Sequence, residues 1–203
     1  MMNPQAIRAK FGDDYAATER THRLGIDLRI TTRIARRFEG RHVLETCTGA
    51  GFTTIALARV ASHVTTVEID PHHQAQAKAN VARARLSERV TFVEGDALSD
   101  DVLRQVGGID AAFLDPDWAA TGPEHVYRFL RSNMRPPADD LLERILLMTQ
   151  DVALVLPPFI DLDELKGLPV HELQTIYLEG AHALYCVYLG ALATMAGKTD
   201  MYA

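Results

Sequence analysis

The stretch HVLETCTGAGFTTIALARV, residues 42–60, decides the fold because two glycines join a strand pattern to a helix pattern. HVLETC (42–47) is a β-rich apolar run, and FTTIALARV (52–60) has the composition of a helix. The alternation continues downstream, with strands predicted at 63–69, 90–95, 109–114 and 151–157 and helices at 71–86, 99–106 and 139–150. This spacing predicts right-handed crossovers and a parallel sheet covered by helices on both faces.

The two ends of the chain depart from this alternation. Near the C-terminus, the β-rich runs 170–178 and 183–192 are separated by EGAH and predict an antiparallel hairpin on the sheet edge. Upstream of the first strand, Thr31 or Thr32 is the expected N-cap of a helix that runs through Phe38. With the hairpin included, the sequence predicts seven strands.

Length and composition indicate a globular protein. The 203 residues are 47% hydrophobic and 24% charged, which excludes disordered and disulfide-scaffold classes. Because no linker rich in Gly, Ser or Pro interrupts the chain, we expect an N-terminal extension (1–30) followed by one domain (31–203). The net charge of −6 argues against broad coating of nucleic acid but permits recognition of a few nucleotides.

The sequence favours a cytoplasmic protein without membrane contact. No apolar run approaches the roughly 20 residues that span a bilayer, and the start, MMNPQAIRAKFGDD, lacks an apolar core behind a basic head. Cys47 and Cys186 cannot build a disulfide framework or a zinc site. His72 and His73 diverge by about 100° on a helix, so no metal site is expected, and the oligomeric state stays open.

Small and acidic residues cluster where the first three predicted strands end. The residues expected to contact a cofactor are Glu45, Thr46, Thr48, Gly49, Gly51, Phe52, Glu68, Ile69, Asp96 and Ala97. Ligands of such sheets bind at the carboxyl ends of the strands. Gly49 and Gly51 let the backbone approach a ligand closely. Glu68 can accept hydrogen bonds from both ribose hydroxyls, and Asp96 can accept one from an adenine amine.

Two cofactors compete for this pattern. A dinucleotide favours G-x-G-x-x-G, but Thr54 occupies the third glycine position. Glu45 would repel a pyrophosphate, whereas it could hold the ammonium group of a methionine moiety. The pattern therefore favours S-adenosylmethionine. In the alternative interpretation, the glycines only turn the chain and the carboxylates are solvated caps.

The motifs LETCTGAGF, VEID and EGDAL resemble, in order and spacing, those of class I S-adenosylmethionine-dependent methyltransferases. Further segments are similar to the trimethylguanosine synthase-like, RNA cap guanine-N2 methyltransferase family: LGIDLRITTRIA, FLDPDWAATGPEH, LPPF-IDLDEL and YLEGAHALYCVYLG. The resemblance implies a Rossmann-like seven-stranded α/β sheet, mostly parallel with a C-terminal antiparallel hairpin. It also implies S-adenosylmethionine as cofactor and methylation of an exocyclic amine of guanine in RNA. Asp117 stands where the family has its second proline.

The residues after the fourth strand suit methyl transfer to an amine. The transfer is an in-line displacement that depends mostly on positioning. The Asp115 carboxylate and the Pro116 carbonyl could accept hydrogen bonds from the amine, and Asp115 could also border the cofactor. Trp118 offers a flat face for base stacking. The alternatives are that Trp118 packs over the sheet end and that Asp115 caps a turn.

Basic residues could add contacts to the phosphates of a nucleotide-like substrate. Arg128, Arg131 and Arg135 have helical spacing and would share one face of a helix, although a solvated face is the simpler interpretation. The segment 20–41 carries seven Arg against two acidic residues. We expect RNA or a nucleotide-like molecule as partner. A small-molecule or protein amine, and a non-catalytic cofactor-binding module, remain alternatives.

Overall fold

The computed structural model describes residues 2–118 and 127–203. These residues form two compact units, the first ending at Gly107 and the second beginning at Gly108. The predicted division into an extension (1–30) and a domain (31–203) stays a prediction. The Ala119–Pro123 part of the family-like loop lies outside the described residues.

The first unit alternates strands and helices as the sequence predicts. Its helices are α1 (Pro4–Phe11), α2 (Glu19–Leu24), α3 (Leu28–Ala35), α4 (Phe52–Ala58), α5 (Pro71–Arg83) and α6 (Asp100–Val106). Its strands are β1 (His42–Thr46), β2 (His63–Glu68) and β3 (Val90–Glu94). The strands pair in parallel in the order β3-β2-β1. The predicted strand–helix pairs of this unit are confirmed.

Burial explains why β1 and β2 form the centre of this unit. Val43, Leu44 and Val64 are fully buried, and every residue of α4 is buried. Strands that are covered on both faces need nearly continuous apolar runs, which HVLETC and HVTTVEI supply.

The helix before β1 begins earlier than predicted. Asp27 caps α3 by accepting a hydrogen bond from Arg29 N at 2.9 Å, so the predicted cap at Thr31 or Thr32 is wrong. Thr31 lies inside the helix, where its hydroxyl donates to Leu28 O at 3.3 Å. An aspartate immediately before a helix is a strong cap. Because the helix already begins after Asp27, Thr31 and Thr32 lie inside it.

The second unit contains the remaining strands. Its elements are β4 (Ala111–Leu114), α7 (Ala138–Leu146), β5 (Val152–Leu156), β6 (His171–Leu178), β7 (Ala181–Leu189) and β8 (Gly197–Tyr202). The strand order is β4-β5-β7-β6-β8. Strands β4 and β5 are parallel, whereas β7 is antiparallel to both β5 and β6. The predicted class, a mostly parallel α/β sheet with antiparallel C-terminal strands, is confirmed.

The C-terminal hairpin forms as predicted but does not lie at the edge. Its turn is Glu179-Gly180, with φ angles of 53° and 82°, the positive values that two-residue hairpin turns favour. Strand β8 pairs in parallel with β6, from Glu172↔Gly197 to Tyr177↔Tyr202. The described residues therefore contain eight strands rather than the predicted seven. The sequence GKTDMY gives little signal because most of its side chains are exposed.

Within residues 2–118 and 127–203, the structure contains no helix with the length and apolarity that a membrane span requires.

Candidate functional site

The loop between β1 and α4 is a tight turn that rests on the end of β2. Cys47 N and Thr48 N both donate to Val67 O, at 2.9 and 3.3 Å. Gly51 has φ 80°, and a Cβ there would lie 3.1 Å from the Ala77 Cα, so both the backbone angle and the close packing favour glycine. At Gly49, with φ 55°, a Cβ would meet no described atom within 4 Å. The loop is therefore closed against α5 at Gly51 and open at Gly49.

Glu68 joins this loop to the end of β2. Its Oε2 accepts a hydrogen bond from Gly49 N at 2.8 Å, and its Oε1 accepts one from Asp70 N at 2.9 Å. The side chain is nearly buried, yet a carboxylate can accept about four hydrogen bonds, so capacity remains for ribose hydroxyls. The neighbouring Ile69 is 66% exposed, which is unusual for an isoleucine and leaves an apolar surface beside the carboxylate.

The end of β3 completes this group of strand ends. Gly95 N donates to Glu68 O at 2.9 Å, which fixes the β3 end beside the β2 end. Asp96 is exposed and accepts a hydrogen bond from Leu98 N at 2.9 Å, while Ala97 is buried. The structure thus brings together the predicted cofactor residues from all three strand ends of the first unit.

Glu45 lies in a different environment from Glu68. It is 1% exposed, and its Oε2 accepts hydrogen bonds from the hydroxyls of Thr54 at 2.5 Å and Thr66 at 2.7 Å. Burial raises the pKa of Glu45 to about 7, although the two hydroxyls lower it and nearby Glu68 raises it. Glu45 as a partner of the cofactor ammonium stays a prediction. The structure shows a carboxyl group that can hold a proton near neutral pH.

The threonines around Glu45 form one buried network. The Thr48 and Thr66 hydroxyls are hydrogen-bonded to each other, so the network runs from Glu45 to the loop. Neither Thr54 nor Thr66 was predicted as a site residue, although buried threonines in a helix and a strand need hydroxyl partners. The Thr46 hydroxyl is buried without a hydrogen-bond partner among residues 2–118 and 127–203.

The first residue of α4 packs against the N-terminal segment. The Phe52 ring stacks on the Phe11 ring with centroids 3.5 Å apart and an angle of 10°. Phe11 and Tyr15 are both buried. Both side chains are therefore part of the core beside Phe52.

The segment Asp115–Trp118 follows β4 in the second unit. Asp117 N donates to Arg135 O at 2.9 Å, and Arg135 N donates to Asp117 O at 3.2 Å. A proline has no N–H to donate, so the aspartate at the family's proline position supplies a backbone hydrogen bond that proline could not. Pro116 is buried and Asp115 is half-buried. Asp117, the residue that departs from the family motif, therefore holds the segment after β4 against Arg135.

Trp118 is half-buried, and its indole nitrogen is fully buried. Among the residues that the structure describes, this N–H has no hydrogen-bond partner. A buried indole N–H usually finds a partner. The predicted role of Trp118 in binding a base stays a prediction.

The helix predicted to carry Arg128, Arg131 and Arg135 is absent from the described residues 127–137, which form turns and one isolated bridge. Glu164 accepts hydrogen bonds from Phe129 N, Leu130 N and Arg128 Nε, at 2.7, 2.9 and 3.1 Å.

Asp139 acts in the same way on the next residues. It accepts hydrogen bonds from Arg131 N and Ser132 N at 2.6 and 3.2 Å. Side-chain carboxylates therefore take the N–H groups that a helix would have paired. Arg128 is neutralised by Glu164, whereas Arg131 is exposed, so Arg131 is the better of the two candidates for a phosphate contact.

Comparisons with known proteins extend these observations. The catechol O-methyltransferase of Mycobacterium tuberculosis (strain ATCC 25618 / H37Rv) is 39% identical over 87 residues, which are 41% of this chain and 40% of that protein. The catechol O-methyltransferase of Niastella koreensis is 35% identical over 92 residues, 41% of each chain. The chain thus spans about two fifths of the length of the curated relatives it matches.

Two solved structures share the fold. A candidate methyltransferase from Porphyromonas gingivalis W83 superposes with a TM-score of 0.75 and 21% identity, over 92% of this chain and 47% of that one. The O-methyltransferase TomG from Streptomyces achromogenes, in complex with S-adenosylmethionine, gives a TM-score of 0.58 and 18% identity, over 92% and 86% of the two chains. At these identities the likeness shows the Rossmann-like methyltransferase fold alone.

The family assignment comes from a sequence model described as RNA cap guanine-N2 methyltransferase, which matches residues 40–191. The match includes the Gly49 loop, Glu68, Asp96 and the Asp115–Trp118 segment. The resemblance inferred from the motifs is therefore confirmed. The chain belongs to the RNA cap guanine-N2 methyltransferase family.

Proposed function

We propose that this chain transfers a methyl group from S-adenosylmethionine to an exocyclic amine of guanine in RNA. The observation that carries the proposal is the family match over residues 40–191. The match includes both the segment after β4 and the loop between β1 and α4, which we name the cofactor loop. The predicted cofactor residues of the first unit support it, because Gly49, Glu68 and Gly95 are joined by direct hydrogen bonds.

The residues of the loop fit this cofactor. The open space at Gly49 would admit a ligand, and the Thr46 hydroxyl is buried without a partner among the described residues. Glu68 would hold the ribose hydroxyls, and Asp96 would accept from the adenine amine beside the exposed Ile69. When bound, S-adenosylmethionine supplies an electrophilic methyl group on a sulfonium. No phosphate needs neutralising there, so carboxylates are suitable.

The segment after β4 would hold the acceptor. The Asp115 carboxylate and the Pro116 carbonyl would accept hydrogen bonds from the amine and turn its lone pair toward the methyl group. Formation of the carbon–nitrogen bond would break the carbon–sulfur bond and release S-adenosylhomocysteine, and Asp115 would accept the proton that the methylated amine then loses. Trp118 would stack on the base, a contact worth roughly 1–3 kcal/mol. Rate enhancement would come mainly from orientation.

Replacement of guanine by inosine tests the acceptor atom, because inosine lacks the exocyclic amine. We would incubate the purified chain with methyl-labelled cofactor and matched RNA oligonucleotides that carry either base. The proposal predicts label in the guanine RNA and at least a tenfold lower signal in the inosine RNA. Equal labelling of the two would place the methyl group elsewhere.

A variant pair tests the stacking role. Trp118→Ala should lose RNA binding and keep cofactor binding, whereas Trp118→Phe should retain most RNA binding because a ring remains. Turnover of Trp118→Ala at the wild-type level would remove Trp118 from the proposed mechanism.

A small aromatic acceptor is the second candidate, and the catechol O-methyltransferase relatives favour it. The net charge of −6 also suits a substrate other than a polyanion. Labelling of catechol in the same assay, with no labelling of RNA, would support this candidate. A small-molecule or protein amine acceptor would be sought with the same label. Cofactor binding without turnover on any acceptor would indicate a non-catalytic module.

A further inference from the structure

Asn80 lies on the buried face of α5 and contacts two separate segments of backbone. It is 1% exposed. Its Oδ1 accepts a hydrogen bond from Ala16 N at 2.7 Å, and its Nδ2 donates to Ala16 O at 2.9 Å. The same Nδ2 donates to Ala50 O, also at 2.9 Å. Both N–H groups of the amide are therefore used, and each is bonded to a backbone carbonyl.

The contact with Ala50 reaches the middle of the cofactor loop. Ala50 lies between Gly49, whose N–H is bonded to Glu68, and Gly51, which packs against Ala77. Glycines on both sides make the orientation of the Ala50 carbonyl easy to change. A buried carbonyl needs a partner, and Asn80 supplies it. Asn80 therefore helps to set the shape of the loop at its open side.

The contact with Ala16 belongs to a row of contacts along α5. Gln76 accepts a hydrogen bond from the Thr21 hydroxyl at 3.0 Å, and Arg83 pairs with Asp13 at 3.0 Å. Positions 76, 80 and 83 share one face of the helix because they are four and three residues apart. All three side chains bind the stretch 13–21, which we name the N-terminal strap. Among these three, Asn80 is the one that also holds the cofactor loop.

We propose that Asn80 is a positioning residue for cofactor binding that couples the N-terminal strap to the loop around Gly49. The inference rests on the proposed function, since it requires the loop to bind S-adenosylmethionine or its demethylated product, S-adenosylhomocysteine. Occupation of the loop would fix the Ala50 carbonyl, and Asn80 would pass this restraint to Ala16. Loss of the amide would release both segments together.

Variants at α5 test the positioning role in the full-length chain. Asn80→Ala removes all three hydrogen bonds, and Asn80→Asp keeps the shape but places an oxygen against two carbonyl oxygens. Arg83→Gln is the matched control, because Arg83 contacts the strap from the same face and not the loop. Affinity for S-adenosylhomocysteine is measured by calorimetry, and KM values for the cofactor and for RNA by label transfer.

We expect the Kd to rise at least tenfold in Asn80→Ala and Asn80→Asp, and to stay within twofold in Arg83→Gln. The KM for the cofactor should rise in the Asn80 variants while the KM for RNA stays unchanged, a split that general destabilisation would not produce. Folded Asn80 variants with wild-type Kd would overturn the inference.

Hydrogen exchange of the wild-type protein decides the question even if the variants do not fold. On addition of S-adenosylhomocysteine, amide exchange should slow both in residues 48–52 and in the strap around Ala16. Slowing confined to residues 48–52 would overturn the coupling while leaving the proposed function intact. If the wild-type protein does not bind the compound, the proposed function fails, and the inference fails with it.

Discussion

Glu45 shows how one residue acquires unusual chemistry from its surroundings. It lies within the buried run of β1 residues from Val43 to Thr46, and burial raises its pKa from 4.5 to about 7. The hydroxyls of Thr54 and Thr66 donate to it and oppose this rise. Glu45 is therefore expected to gain and lose a proton near the pH at which the protein works, and its charge would change beside the cofactor loop.

Glu45→Gln should change how stability depends on pH. The folded-state pKa lies above the unfolded value of 4.5, so the stabilising contribution of Glu45 is complete below pH 4.5 and is lost as the pH rises through 7. The neutral glutamine does not titrate. Relative to wild type, the variant should gain stability between pH 5 and pH 8, by on the order of 3 kcal/mol at most, since one pKa unit corresponds to about 1.36 kcal/mol.

Urea unfolding of both proteins at pH 5 and pH 8 measures this difference in the free energy of unfolding. The contributions of the other titrating groups cancel because both proteins contain them. An identical difference in the free energy of unfolding at pH 5 and pH 8 would show that Glu45 keeps an ordinary pKa.

At the scale of the elements, the loop between β1 and α4 contains two glycines with different surroundings. A methyl group at Gly51 would press on Ala77, whereas one at Gly49 would project into open space. Both φ angles are positive, so either alanine also costs about 1–2 kcal/mol in backbone strain.

Gly51→Ala should therefore lower the free energy of unfolding more than Gly49→Ala does. Gly49→Ala should lose more cofactor affinity than its stability loss explains, because its methyl group would occupy the proposed ligand space. Thermal unfolding and calorimetric titration of the two variants provide the comparison. This assignment of roles would be contradicted if Gly51→Ala lost more cofactor affinity than Gly49→Ala and also had the higher free energy of unfolding.

The segment 127–137 depends on a carboxylate rather than on helical hydrogen bonds. Glu164→Ala removes the partner of two backbone N–H groups and of Arg128, and it should lower the free energy of unfolding by about 2 kcal/mol. Its neighbour Asp163 pairs with Lys166 at an exposed position, so Asp163→Ala should lower the free energy of unfolding much less than Glu164→Ala does. Chemical denaturation of both variants tests the contrast, which equal losses would disprove.

The same elements show what the sequence could predict. Strand–glycine–helix units such as 42–60 follow from local periodicity and were predicted closely. The helix prediction for residues 127–137 was wrong because side-chain carboxylates accept from their N–H groups: Asp139 lies seven and eight residues further along, and Glu164 is more than 30 residues away. Strand β8 was missed because most of its residues are exposed, so the sequence has no alternation of apolar and polar residues that would indicate its pairing with β6. Asn80 was missed because one asparagine on a helix face does not reveal two backbone partners.

At the scale of the whole molecule, the net charge of −6 requires any RNA contact to be local. Part of the arginine-rich segment 20–41 is already neutralised, since Arg29 pairs with Asp27 at 3.0 Å. Arg131 is exposed, and no described residue forms an ion pair with its side chain. A few phosphate contacts, rather than a broad basic surface, are therefore expected.

The KM for RNA should rise with salt while the KM for the cofactor stays constant. With two phosphate contacts, the logarithm of the RNA association constant would fall with the logarithm of the salt concentration at a slope of about −1.4, which is roughly a sevenfold loss of affinity between about 50 and 200 mM salt. Arg131→Gln should reduce the slope by about 0.7, whereas Arg104→Gln, which loses an exposed pair with Asp101, should leave it unchanged. A KM for the acceptor that ignores salt would favour the uncharged small substrate.

Calorimetric titration of the purified chain, with S-adenosylmethionine in one experiment and a nicotinamide dinucleotide in another, tests the central claim most directly. Glu68 and Asp96 offer carboxylates beside the open loop at Gly49, which suits a nucleoside without phosphates. We therefore predict saturable binding of S-adenosylmethionine and no binding of the dinucleotide. Binding of the dinucleotide, with no heat from S-adenosylmethionine, would contradict the account.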